Sequence, residues 1–519
     1  MFHPRRTLKA LLLPLVAGLA LIALPATAAH AASTLANGGF ETDGAGVATP
    51  AGWSEYGDTG ASYTESGGHS GGYRLSHYAA SAYKVETYQY LSGLANGTYT
   101  LTAWVRSSGG QNAAYLALKN CGGAAQRTDL PVSTSSWVRV VTSVKVTGNQ
   151  CTISINSDAN AGDWINIDDL TFAPGSTGLS IKGADISSLA KSEALGGVYR
   201  TSSGTAGDAV TLLKNAGMNY ARLKVWVDPA DGYNDKARVL AMAKRVKAAG
   251  MKLLVDFHYS DAWADPGKQT KPAAWSGHTY GQLKTDVYNH TYDVLNALKA
   301  QGTTADMVQV GNEINGGMLW SEGSTDNWSQ LAGLLNSGYS AVKAVSSATK
   351  VALHLANAGD DSTVRWWFDN ARTYGVNYDV IGLSYYGYWH GSLAAAQTTL
   401  DDVVSRYGKP VYVAETAYPF TLAQDDALEN QIDTTGELVT GYPATQAGQL
   451  AWMNAVANIV EAVPGNKGLG VFYWEATWTA VTGNGWDPAD PASGNGWENQ
   501  ALFDYNDRAT SAMSWFSHR

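Results

Sequence analysis

Two regimes of hydrophobic patterning divide the chain near residue 174. From about Ser33 to Ala173, apolar and polar residues alternate in short runs: Tyr83 to Leu91, Gly97 to Val105, Ala114 to Lys119, Trp137 to Val146, Cys151 to Ile155 and Trp164 to Phe172. A period of two with no intervening helical period is the signature of strands buried on one face. Residues 33–173 therefore predict an all-β, jelly-roll sandwich. Pro174-Gly175-Ser176-Thr177-Gly178 follows as a brief polar linker, residues 174–178.

Beyond it the pattern changes to continuous apolar runs alternating with amphipathic stretches. The runs are Ile181 to Ile186, Tyr220 to Val225, Lys252 to Phe257, Met307 to Val310, Lys350 to Leu355, Val380 to Ser384, Val411 to Ala414 and Gly470 to Tyr473. Helical periodicity marks Asp235 to Ala249, Tyr280 to Ala300, Asn327 to Val345 and Thr445 to Val463. Eight buried strands, each followed by a helix-length segment, predict a (β/α)8 TIM barrel over residues 179–519. A doubly wound open sheet is the rival, but no glycine-rich phosphate loop follows its first strand.

The first residues change the picture of where the protein works. Arg5, Arg6 and Lys9 precede the apolar run Ala10 to Leu24, and Ala28-Ala29-His30-Ala31 follows it. This is the pattern of an export signal, residues 1–31, so a secreted, extracellular protein is expected, by a Sec or a twin-arginine route. The run is short and broken by Pro14 and Pro25, and no later stretch is apolar for long enough to cross a membrane. Removing the segment leaves 32 basic residues against 45 acidic, a net charge of −13 in place of −10. That argues against nucleic acid as a partner. With 18 Trp and 28 Tyr, a neutral ligand with apolar faces, such as a sugar, suits the chain better. Cys121 and Cys151 are the only cysteines, and in an exported protein a disulfide between them is expected. A monomer is expected.

In a barrel the active site collects at the C-terminal ends of the strands. Those positions hold Asp185, Arg222, Trp226, Asp256, His258, Tyr259, Asp261, Trp263, Asn312, Glu313, His354, Asn357, Tyr385, Tyr386, Trp389, Glu415, Trp474, Glu475 and Trp478. Cleavage of a glycosidic bond with retention needs two carboxyls about 5–5.5 Å apart, one to attack the anomeric carbon and one to protonate the leaving oxygen. Glu313 follows strand four and Glu415 ends strand seven, facing positions across a barrel mouth. Their joint placement makes Glu313 the candidate acid/base and Glu415 the candidate nucleophile, with Asn312 placed to bond a sugar 2-hydroxyl. Asp256 and Glu475 are competing carboxylates whose ordinary reading is structural. No metal-binding HExxH spacing and no GxSxG elbow occurs, so no cofactor is required for catalysis.

These residues carry a resemblance. Gly183-Ala184-Asp185-Ile186-Ser187-Ser188, Arg222-Leu223-Lys224-Val225-Trp226, Asp256-Phe257-His258-Tyr259-Ser260-Asp261 with Trp263-Ala264-Asp265-Pro266, Val310-Gly311-Asn312-Glu313-Ile314, Gly382-Leu383-Ser384-Tyr385-Tyr386, Ala414-Glu415-Thr416, Gly470-Val471-Phe472-Tyr473-Trp474-Glu475 and Asn499-Gln500-Ala501-Leu502-Phe503-Asp504 together resemble the endo-β-1,4-galactanases of glycoside hydrolase family 53. The resemblance implies endo-hydrolysis of β-1,4-galactan, the side chain of pectic type I arabinogalactan. It carries Glu313 over as acid/base and Glu415 as nucleophile, in a groove with Asp185, Arg222, His258, Asn312, His354 and Tyr385, where Trp389, Trp474, Trp478 or Trp497 could stack on sugars. Another retaining endo-glycanase of the same clan, acting on xylan, mannan or β-glucan, and a non-catalytic polysaccharide-binding protein are the alternatives. Some bacterial relatives hold calcium between the loops after strands seven and eight, but Gln424-Asp425-Asp426-Ala427-Leu428-Glu429-Asn430 departs from the aspartate-glycine alternation expected there, so no barrel metal is assigned.

The N-terminal module resembles the galactose-binding-like sandwiches of carbohydrate-binding modules through Asn37-Gly38-Gly39-Phe40-Glu41 and Asn166-Ile167-Asp168-Asp169-Leu170. In that fold Glu41 and Asp169 could share a structural calcium. Trp53, Tyr78, Tyr83 and Trp104 are candidate rings for its sugar face.

Overall fold

The computed structural model describes residues 35–518; the expected export signal, 1–31, lies outside the described residues. Ten strands build the N-terminal sandwich: β1 (Ser54–Gly57), β2 (Ser62–Ser66), β3 (Tyr73–Tyr78), β4 (Tyr83–Ser92), β5 (Gly97–Ser107), β6 (Ala113–Lys119), β7 (Gln126–Asp129), β8 (Thr134–Val146), β9 (Gln150–Ala159) and β10 (Trp164–Pro174). One sheet runs β1-β4-β9-β6-β7 and the other β2-β3-β10-β5-β8. Leu75, Leu101, Leu116, Ile153 and Ile167 meet between them with no exposed surface. The six alternating runs are all strands. The pattern missed β1, β2, β3 and β7, because their inward positions are largely polar. Ser62 Oγ lies 2.6 Å from Thr87 Oγ1, and His77 reaches Ser157 Oγ and Thr87 Oγ1 at 2.8 and 2.9 Å, a buried polar patch where an apolar alternation would be sought. Burial pushes the His77 pKa down to about 3, so it stays neutral.

Cys121 and Cys151 are joined, tying the loop after β6 to β9. Glu41 and Asp169 do approach one turn, residues 67–73, but they face donors. Glu41 Oε1 accepts from the amides of Gly72 and Tyr73, both at 2.8 Å. Asp169 accepts from Ser70 Oγ at 2.7 Å and pairs with His69 Nδ1 at 2.6 Å. Among the described residues no group of three or more His, Cys, Asp or Glu gathers as a metal site. Of the four candidate rings, Trp53 and Tyr83 are core, and Trp104 is stacked on His69 at 4.0 Å. Only Tyr78 stands open, at 40% exposure.

The second half is a closed, parallel, eight-stranded barrel. Its strands are Ile181–Asp185, Tyr220–Val225, Lys252–Phe257, Met307–Val310, Lys350–Leu355, Val380–Ser384, Val411–Thr416 and Gly468–Tyr473, each within two residues of its predicted bounds. Both faces of such strands are covered, which is why they read as unbroken apolar runs. Rings of Tyr220, Tyr412 and Phe472 fill the floor of the barrel with Leu254 and Met307. Gly183 and Gly382 leave the space: a Cβ at the first would lie 2.4 Å from the Phe472 ring, and at the second 2.8 Å from that of Tyr412. The four predicted helices appear as Lys236–Ala248, Tyr280–Ala300, Trp328–Val345 and Gln446–Glu461, joined by others including Asp361–Thr373 and Leu393–Tyr407.

The two halves are locked together. Arg139 on β8 donates two bonds to Asp401, at 2.9 and 2.8 Å, and two more to the carbonyl of Ala462. Gln397 pairs with the same residue's backbone, accepting from Arg139 N at 2.7 Å and donating to Arg139 O at 2.8 Å. Thr177 in the linker donates to Glu461, and Val132 N donates to Tyr442 Oη. Val138 joins the barrel's apolar core.

Candidate active site

Period-two alternation sends Arg222 and Lys224 from the second barrel strand toward the mouth. Arg222 is 1% exposed and serves as a hub. Its Nη1 donates to Asp185 Oδ2 at 2.7 Å, its Nε to Gln309 Oε1 at 3.0 Å, and its Nη2 to Asp256 Oδ2 at 2.8 Å and Asn312 Oδ1 at 2.9 Å. The same Nη2 lies 2.8 Å from Glu415 Oε1. Burial works against a charged guanidinium, but Asp256, Glu415 and Asp185 outweigh it and hold Arg222 protonated. In return Arg222 overcomes the burial of Asp256 and keeps that carboxyl below its usual range.

Glu313 and Glu415 line one pocket with Arg222, Lys224, His258, Trp263, Asn312, Tyr386, Trp389, Trp474, Trp486 and Trp497. The two carboxyls have unequal surroundings. Glu415 Oε1 faces Arg222, and its Oε2 accepts from Tyr386 Oη at 3.1 Å. Glu313 Oε1 accepts only from Ser384 Oγ, at 2.7 Å. Because that hydroxyl donates to Glu313, it accepts from His354 Nε2 at 2.8 Å, while Gln309 Nε2 donates to His354 Nδ1 at 2.9 Å. Burial and Arg222 hold His354 neutral, as this relay requires. Burial lifts the Glu313 pKa to about 7, against the pull of the Ser384 bond and Arg222. Burial also pushes Glu415 up, with Arg222 opposing. With a guanidinium and a phenol on Glu415 and a single neutral hydroxyl on Glu313, a proton shared by the pair settles on Glu313. Glu313 is also held at φ 46°, a left-handed backbone costing about 1 kcal/mol that the packed strand end sustains.

The walls are indole rings. Trp263 and Trp486 stack parallel with centroids 4.9 Å apart, and Trp263 Nε1 donates to the Trp486 carbonyl at 3.0 Å. Trp474 meets Trp497 at 4.5 Å, and Trp389, 49% exposed, meets Trp497 edge-on at 5.7 Å. Lys224 completes this side, with Nζ 2.6 Å from Glu475 Oε1 and 4.0 Å from the Trp263 ring centre.

Arg222, His258, Asn312, Trp389 and Trp474 thus line the pocket as the sequence suggested. Three expectations are corrected. Asp185 lies beneath the surface, its carboxylate spent on Arg222 and Ser187. His354 is buried behind Glu313 and acts through Ser384. Tyr385 is fully buried, donates to Gly391 O at 2.9 Å and packs on Trp452; its neighbour Tyr386 takes the place in the pocket. The competing carboxylates are bound by cations, Asp256 by Arg222 and Glu475 by Lys224. Sequence reasoning gave no role to Lys224, Gln309, Ser384 or Trp486. Lys224, two residues from Arg222, and Ser384, two from Tyr386, share faces with pocket residues and were discernible by parity; Trp486 sits in an aperiodic loop and was not.

The family model described as glycosyl hydrolase family 53 matches residues 181–516. An uncharacterized protein of Niallia circulans is 42% identical over 342 residues, covering 64% of this chain and 92% of its own length. The endo-beta-1,4-galactanase of Bacillus subtilis is 37% identical over 374 residues, covering 65% of this chain and 85% of its own. The solved catalytic domain of a GH53 protein from Ignisphaera aggregans superposes with a TM-score of 0.62 at 39% identity, over 66% of this chain and 99% of that one. Matched barrel and matched sequence coincide, and the chain belongs to glycosyl hydrolase family 53.

Proposed function

We propose that this chain hydrolyses internal β-1,4-galactosidic bonds of pectic galactan with retention, Glu415 serving as nucleophile and Glu313 as acid/base. The observation that carries the roles is the asymmetry of the two carboxyls. A guanidinium and a phenol hold charge on Glu415, while Glu313 keeps the proton. Glu415 attacks the anomeric carbon as Glu313 passes its proton to the departing glycosidic oxygen. Glu313, now ionised, takes a proton from water, and the resulting hydroxide releases the sugar from Glu415. Asn312 lines the same pocket and is held by Arg222 and by a bond from its Nδ2 to Ala264 O at 2.7 Å. The substrate class follows from the family and from relatives named as galactanases. The N-terminal sandwich is read as a carbohydrate-binding module, and the whole as a secreted enzyme that needs no cofactor for catalysis.

Incubating the full chain with potato galactan and separating the products tests this reading. Short galacto-oligosaccharides are expected, with xylan, mannan and β-glucan left intact. Cleavage of one of those polymers in preference to galactan refutes the substrate, and a new reducing end that first appears as the α anomer refutes the double displacement.

A further inference from the structure

Gln309 lies on the fourth barrel strand, Met307–Val310, with no exposed surface and no place in the pocket lining. It bonds to neither catalytic carboxyl, yet its amide is fully engaged. Oε1 accepts from Arg222 Nε at 3.0 Å and from Tyr412 Oη at 3.1 Å. Nε2 donates to Asp256 Oδ1 at 3.0 Å and to His354 Nδ1 at 2.9 Å. A guanidinium only donates and an ionised carboxylate only accepts, so Arg222 at one end and Asp256 at the other leave the amide a single orientation.

His354 stands at a fork. Its Nδ1 lies 3.1 Å from Asn312 Oδ1, an acceptor that favours a proton on that nitrogen. The Gln309 amide at 2.9 Å and the Glu313 backbone N–H at 3.4 Å present donors to the same nitrogen and oppose that proton. Burial and Arg222 keep the ring neutral, so its one proton goes to Nε2. Nε2–H then donates to Ser384 Oγ at 2.8 Å, and the hydroxyl's own proton turns to Glu313 Oε1 at 2.7 Å. With Oε1 engaged as an acceptor, the acid's proton sits on Oε2, the oxygen left for a departing glycosidic oxygen. In the reverse arrangement Nδ1–H would donate to Asn312, Nε2 would accept from Ser384, and Ser384 would accept the proton of Glu313 Oε1. The acid would then hold its proton on the wrong oxygen.

We infer that Gln309 is the positioning residue that sets the direction of this relay. Through it one cation orders both carboxyls: Arg222 touches Glu415 directly and reaches Glu313 by way of Gln309, His354 and Ser384. The inference rests on the reading of Glu313 as acid/base. The charged groups acting on Glu313 are Arg222, which draws its pKa down, and Asp265 and Asp256, which raise it, with Glu415 and the Tyr386 phenol facing it. A change at Gln309 also alters the surroundings of Arg222 and Asp256, so its effect through the relay is isolated by removing Ser384.

Nitrogen-15 NMR of the full chain labelled at histidine reads the tautomer, with the His354 signals assigned by their loss in His354→Gln. The parent should show a protonated Nε2 and a bare Nδ1; a proton on Nδ1 overturns the inference with Gln309 untouched. Gln309→Met, of similar length but without the amide, should move the proton to Nδ1. It should lower kcat/KM on galactan roughly ten- to a hundredfold and leave kcat/KM on a dinitrophenyl β-galactobioside, whose leaving group needs no acid, within about twofold. The alkaline limb should rise by about one pH unit in Gln309→Met, but Gln309→Met should add nothing to it in the Ser384→Ala background. A limb shift that survives in that background, an unmoved tautomer, or equal losses on the two substrates overturns the inference. Where Gln309→Met does not melt like the parent, the parent spectrum decides. Undiminished galactan turnover in Glu313→Gln overturns the acid/base reading instead; an inert Glu313→Gln beside a parent protonated at Nδ1 overturns this inference alone.

Discussion

Replacing Glu313 by glutamine should stabilise the protein at alkaline pH while abolishing turnover. Burial raises the Glu313 pKa from its ordinary 4.5 to about 7. A carboxyl whose folded pKa lies above its unfolded one holds its proton more tightly when folded. Its contribution is fully present below about pH 4.5 and is lost as pH rises through about 7. At about 1.4 kcal/mol per pH unit, a displacement of about 2.5 sets an upper bound near 3 kcal/mol on the cost at pH 8.5. Glu313 borders an open groove, and solvent screening brings this to about 1–2 kcal/mol. Glutamine resembles the protonated form, can still accept from Ser384, and does not titrate. For a unit of this size about 1–2 °C per kcal/mol is expected, so E313Q should melt with the parent at pH 4.5 and about 2–3 °C above it at pH 8.5. Scanning calorimetry of both proteins across that range measures the difference. An offset that does not change with pH, or a variant less stable at pH 8.5, would refute the assignment of a buried, proton-retaining carboxyl.

The two adjacent tyrosines should separate cleanly. Tyr386→Phe removes a bond to a charged carboxylate and should lower kcat roughly ten- to a hundredfold with little change in melting, while Tyr385→Phe should cost about 1 kcal/mol of stability and leave kcat within about twofold. Equal effects on both would restore Tyr385 to the site. Glu415→Ala should be inactive on galactan and regain turnover with azide, giving a glycosyl azide of inverted configuration; rescue without inversion would contradict its role as nucleophile. Activity should fall on the alkaline side through about pH 7 as Glu313 loses its proton, and Ser384→Ala, by removing a bond that favours the ionised form, should move that limb to higher pH. A limb that stays or moves down in that variant would exclude Ser384 as the group that tunes Glu313.

The barrel was legible because its strands are covered on both faces, so all eight runs from Ile181 to Tyr473 announced themselves by composition alone. The sandwich was half legible. Strands with apolar interiors were found, while β2 and β3 turn Ser62, Thr64 and His77 inward and so lack the alternation. Among the site residues, position after a strand located Glu313 and Glu415, but parity decided between neighbours and was misjudged once. Ser384 faces the mouth, so Tyr386 does also and Tyr385 does not. Depth was the other limit. Asp185 and His354 lie at strand ends, yet each spends its polar atoms on another side chain, Arg222 in one case and Ser384 in the other. Sequence position cannot distinguish a residue that touches substrate from one that holds its neighbour.

The Arg139 lock bears on how the two halves can be taken apart. A barrel cut free at residue 179 would lose the partner of Asp401, whose side chain is 23% exposed in the docked protein, along with Arg139's bond to the carbonyl that follows the helix Gln446–Glu461. Gln397, which mimics an added strand against β8, would be left facing water. The barrel's outer helices and strand β8 thus bury a shared surface, and truncation exposes that surface in addition to removing a module. A loss of activity in such a fragment measures the wound as much as the missing module, and only point changes on the intact chain isolate one from the other.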